Sequence, residues 1–170
     1  MEIKKILTVL MGIFVAGLAL YLECVLHEGS HAICALALGG EVINSHVGFM
    51  IGSVETKIGL SAQPYVAMAP FILPTLLVFG LSFVRIKKHT AKLLWASFVS
   101  ILAIGPFMEC VMNAIAVFSA RENMEHWDLL HAIDASSGIG AALCIAIVLL
   151  ALVLLTFVII RSTKSFYNEV

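Results

Sequence analysis

Residues 22–40 read LECVLHEGSHAICALALGG. From Glu23 to His31, nine residues carry two carboxylates and two imidazoles inside an otherwise apolar run. Ionisable groups are costly in hydrocarbon and persist there when they are paired and functional. The stretch therefore reads as a membrane helix and a candidate site at once. The surrounding composition agrees: of 170 residues, 61% are hydrophobic and 12% charged, and mean hydropathy is +1.06. Soluble domains run at about 45–50% apolar and about 25% charged. A polytopic membrane protein follows, with the lipid bilayer as its first partner. There is no basic stripe with interleaved aromatics, so no nucleic-acid partner is expected. Cys24, Cys34, Cys110 and Cys144 all lie in apolar segments without CxxC spacing. They read as buried free thiols.

A spanning helix needs about 20 mostly apolar residues. Working outward from the quoted stretch, four segments qualify: about 6–38, 65–83, 93–118 and 141–160. At 1.5 Å per residue the first would be roughly 50 Å long. That exceeds a hydrocarbon core of about 30 Å, so it must tilt, kink or project. Its basic start resembles a signal peptide, but no small-residue cleavage site follows, and a retained helix is expected. Gly39-Gly40 supplies a helix stop, because glycine readily adopts the left-handed cap. Residues 41–59, EVINSHVGFMIGSVETKIG, are too short and polar to span. There Ile43, Ser45, Val47, Phe49 and Ile51 share one parity. After Gly52, Val54, Thr56, Ile58 and Leu60 alternate with Ser53, Glu55 and Lys57. This predicts a β-hairpin. The expected architecture is one domain, residues 1–170: an all-α polytopic membrane protein of about four transmembrane helices with a short β-hairpin after the first.

Lys and Arg accumulate on the cytoplasmic side of membrane proteins. With four crossings, one side holds Lys4, Lys5, Arg85, Lys87, Lys88, Lys92, Arg161 and Lys164, and the other Lys57 and Arg121. Both termini are therefore expected in the cytoplasm. The end of the first helix and the loop 119–140 share the opposite side, where the polar chemistry gathers.

His27-Glu28-Gly29-Ser30-His31 is an HExxH sequence. On a helix, positions i and i+4 are neighbours, with Cβ atoms about 5–6 Å apart. Two imidazoles so placed can converge on one Zn²⁺ at about 2.0–2.1 Å each. Glu28, rotated off the ligand line, can act as general base on a water activated by that ion. Glu23, four residues before His27, could accept the second ring N–H of that histidine or simply be protonated in the membrane. A catalytic zinc takes a third protein ligand and keeps an open position. Asp128, at the mouth of the third span, leads the candidates; its competing role is to cap a short helix over 129–135. His126, His131, Asp134, His46 and Glu109 are rivals. Glu109 and Asn113, four apart, form a polar stripe that could line the site or fix packing between helices.

The stretch HEGSHAICALALGGEV resembles the HExxH helix of the site-2 protease family, the membrane-embedded zinc metalloproteases. The likeness is strongest over about 22–47 and extends weakly to MAPFILP in the second span and to the region of Asn113. It implies that His27 and His31 are metal ligands and Glu28 the catalytic base. The family's third ligand is a distal aspartate, usually in an Asn-Pro…Leu-Asp-Gly context that this chain lacks. WDLLHAIDASSGIG looks more like a smaller, divergent branch and favours Asp128. The family usually has its zinc nearer the cytosolic face, whereas the charge count puts the HExxH end on the other side.

These readings lead to an intramembrane zinc metalloprotease acting on a membrane-protein or peptide substrate. The rival is a non-catalytic membrane protein, either a pseudoprotease or a metal-binding scaffold. A metal transporter using Glu23, His27 and Glu109 as a path is a third possibility; only four spans and no inverted repeat argue against it.

Overall fold

A computed structural model of the chain describes residues 2–49, 51–119 and 128–167. Helix α1 (Glu2–Ala37) leads into strands β1 (Glu41–Val47) and β2 (Gly52–Lys57). A short 3₁₀ turn (Leu60–Ala62) precedes α2 (Gln63–Leu81). Then come α3 (His89–Ser119), α4 (Asp128–Asp134) and α5 (Gly138–Tyr167). Four helices are long and apolar enough to cross a membrane: Ile6–Ala37, Leu60–Leu81, His89–Val117 and Gly138–Lys164. The four spans and the hairpin follow the sequence pattern. The helices run on past the apolar stretches, because a helix keeps its internal hydrogen bonds beyond the hydrocarbon boundary.

Two glycines end α1. Gly39 has φ of 79°, in the left-handed region that costs an L side chain free energy. Its N–H donates to the Leu36 carbonyl at 3.1 Å, and the Gly40 N–H donates to the Ala35 carbonyl at 2.8 Å. This pair of bonds is the Schellman stop, which satisfies carbonyls the helix end would leave open. Gly40 is also approached by the backbone: a Cβ there would lie 2.9 Å from the Lys57 carbonyl oxygen. The chain can therefore turn back and lay the hairpin along the second half of α1.

The hairpin is antiparallel, pairing Glu41 with Lys57, Val42 with Thr56 and Asn44 with Glu55. The register shifts between Val42 and Asn44, so Ile43 is an extra residue on β1. A bulge of this kind breaks alternation, and the common parity of Ile43 with Ser45 and Val47 does not carry through the strand. Gly52 begins β2 directly over α1, where a Cβ would lie 2.5 Å from Glu28 Cγ and 2.9 Å from Cys24 Sγ.

The core lies where the helices meet. Phe71 and Val78 of α2, Val99 and Leu102 of α3, Leu129 of α4, and Val148, Leu155 and Val158 of α5 are almost fully buried. Large apolar residues such as Ile13, Phe14, Leu149, Leu150 and Val153 face outward, as suits helices solvated by lipid tails. The polar groups near Glu28 lie toward one end of the bundle, and the 82–87 connection lies at the other with the last turns of α5.

This arrangement predicts that Lys57→Cys and Lys88→Cys, on a background with the native cysteines replaced by alanine, react with a membrane-impermeant maleimide from opposite sides of a sealed vesicle. Labelling of both from one side would break the four-span topology. Whichever side reaches Lys57 is the side of the histidines.

Candidate metal centre

The helical repeat brings His27 and His31 to one face of α1, with ring centroids 5.2 Å apart. Asp128, the first residue of α4, comes to the same place. Its Oδ2 lies 3.4 Å from His27 Nε2 and 3.3 Å from His31 Nε2. Among the described residues these three form a group able to hold a metal ion, with their ligand atoms all within 4.8 Å of one another. Burial works against the charged form of Asp128. Hydrogen bonding to His27 and His31 outweighs it and holds the carboxyl down at about 2, so it is ionised, as a ligand must be.

The orientation of His31 comes from α2. Its Nδ1 lies 2.9 Å from the Val66 carbonyl oxygen. A carbonyl only accepts, so Nδ1 carries a proton, and Nε2 is the nitrogen turned toward Asp128. That carbonyl is available because the residue four further along is Pro70, inside α2. Proline has no N–H to complete the helical bond back to Val66. Sequence reading located Pro70 in the second span without giving it this role. The missing signal was that α2 packs against α1; once that is known, the orphaned acceptor at Val66 follows from the position of the proline.

The orientation of Asp128 comes from α3. Asn113 is fully buried. Its Oδ1 accepts the Leu129 N–H at 3.1 Å, and its Nδ2 donates to Glu109 Oε1 at 3.1 Å and to the Glu109 carbonyl at 3.0 Å. The polar stripe is therefore joined within α3 and also caps the start of α4. With an N-terminal donor of α4 satisfied from outside, the Asp128 carboxylate faces the histidines.

Glu28 is 9% exposed and lies beneath Gly52. A cavity of about 940 Å³ surrounds the group. Glu23, Glu28 and Glu109 line it together with the three candidate ligands, and β2 forms one wall. Glu23 makes no hydrogen bond to His27 among the described residues; it packs where a Cβ on Gly105 would overlap it. His131 lines the cavity but does not join the converging three. Asp134, at the far end of α4, and His46, on β1, are absent from the lining. His126 lies outside the described residues.

Two substitutions away from the ligands test this scaffold. Pro70→Ala restores an N–H that competes for the Val66 carbonyl, and Asn113→Ala uncaps α4. Each is expected to weaken metal binding about 10- to 100-fold, the usual cost of losing an outer-shell partner. Competition with a chromophoric chelator measures it, and unchanged affinity in both variants would remove the assigned roles.

No profile of a known protein family matches the chain, and neither curated proteins nor solved structures provide a match.

Proposed function

We propose that the chain is an intramembrane zinc metalloprotease of site-2 protease type, hydrolysing peptide bonds of membrane-associated substrates. One observation carries this reading: His27 Nε2, His31 Nε2 and Asp128 Oδ2 converge beside Glu28. Tetrahedral zinc with bonds of about 2.0–2.2 Å separates its ligand atoms by about 3.3–3.6 Å. The 3.4 Å and 3.3 Å spacings of the carboxylate oxygen from the imidazole nitrogens fit that figure. The donor set of two imidazoles and a carboxylate suits zinc and leaves a position open. When bound, zinc supplies Lewis-acid polarisation of a carbonyl and activation of water.

The protein's own groups do the rest. Glu28 accepts the proton of the attacking water and returns it to the leaving amine. Its cover by Gly52 limits its side-chain freedom and access to bulk water. The unpaired edge of β2, whose residues line the cavity, can take an extended segment by backbone pairing. That suits a substrate helix, which must unwind before a carbonyl can be attacked. Asp128 and the histidines hold the ion; Glu23 and Glu109 keep the cavity polar enough to admit water.

Single-span peptides labelled on both sides of the span, reconstituted with the zinc-loaded protein in liposomes, test this. Glu28→Gln is expected to keep its zinc and lose cleavage by about 100- to 10,000-fold, the range of a general base. Asp128→Ala is expected to lose both zinc and cleavage. Undiminished cleavage by Glu28→Gln would end the mechanism. Tight zinc with no cleavage across a broad peptide panel would favour the non-catalytic scaffold.

A further inference from the structure

At the end of the bundle away from the histidines lies a second cavity, of about 610 Å³, between the 82–87 connection, the first turns of α3 and the last turns of α5. Arg85, Lys87, Lys92, Arg161 and Lys164 line it, and none of its lining residues is acidic. Arg161 is braced: its Nε donates to the Ser82 carbonyl at 3.1 Å, and its guanidinium lies 4.5 Å from the centre of the Phe83 ring. A guanidinium has further N–H donors to offer.

Trp95 supplies an independent observation. It lines the same cavity, and its ring stacks on Phe98 with centroids 5.6 Å apart. Its Nε1 is buried and has no hydrogen-bond partner. The positive-inside bias accounts for cations near this end of a membrane protein. It does not account for an aromatic and apolar wall set directly beside them. Val84, Ile86, Ala96 and Val99 complete an apolar wall beside the charges.

Cations beside an apolar wall match a phosphate carrying acyl chains. We propose that this cavity binds the headgroup phosphate of an anionic phospholipid from the adjoining leaflet. The phosphate oxygens take the charges of Arg85, Lys87 and Lys164, and the glycerol and first acyl carbons lie on the apolar wall beside Trp95. Basic pockets between membrane helices recognise headgroups in this way. Free inorganic phosphate shares the anion chemistry and lacks the chains. The site is independent of the hydrolase reading.

The chain has two tryptophans, so Trp127→Phe leaves Trp95 as the sole tryptophan, which can be excited selectively over the tyrosines. The full-length variant in phosphatidylcholine nanodiscs, prepared with increasing phosphatidylglycerol, is expected to show a saturable change in Trp95 emission. More phosphatidylcholine, or inorganic phosphate added at the same concentrations, is expected to give none. Lys87→Gln with Lys164→Gln, exposed positions that leave the Arg161 brace intact, should weaken phosphatidylglycerol binding about 30-fold, at about 1 kcal/mol per cation. Native mass spectrometry should find fewer retained anionic lipids on the double variant. Equal responses to the two lipids would overturn the proposal, as would binding indifferent to the double substitution. Saturation by inorganic phosphate as readily as by phosphatidylglycerol would overturn the lipid assignment.

Discussion

The hydrogen bond from His31 Nδ1 to the Val66 carbonyl is the contact on which the rest of the site depends. It ties α1 to α2 inside the bundle and selects one tautomer of the imidazole. It exists because Pro70 leaves that carbonyl without its helical donor. In a hydrocarbon environment, a free backbone acceptor and an unpartnered imidazole N–H are both expensive. Each removes the other's cost. The proline thus serves the site by what it lacks, and any kink in α2 is secondary to the acceptor it exposes.

A second tie, from Asn113 to the start of α4, does the same for Asp128. Pro70 and Asn113, neither of them among the converging three, position the groups that could hold a metal ion. Both ties join a side chain on one helix to the backbone of another, and backbone is where a packed bundle is least free to shift. Geometry of this kind, held from outside the first ring of ligands, is what metal affinity and catalysis require.

Much of this was legible in the sequence. Hydropathy alone separates the four spans, and Gly39-Gly40 marks the turn after the first. The i, i+4 spacing of His27 and His31 depends on helix geometry, which holds whatever the fold. What could not be read needed knowledge of neighbours. The register shift at Ile43 is invisible to a parity argument, since an inserted residue looks the same as an alternating one. Asp128 led its acidic and imidazole rivals only by its place at the mouth of the third span, because nothing local tells which end of a seven-residue helix faces α1. Glu109 and Asn113 announced a polar face by their spacing, but not that Asn113 reaches a backbone N–H sixteen residues on.

The distance along the chain between His31 and Asp128 has a consequence of its own. The chain between them forms a loop of about a hundred residues that includes β2, α2 and α3. A cation gripped at both ends acts as a crosslink across that loop. Closing a loop of this length removes about 4–5 kcal/mol of the disordered chain's conformational entropy. The ion would then do for this bundle what a disulfide does for a small secreted domain, and its removal would loosen α4 from α1 before it disturbed any single helix.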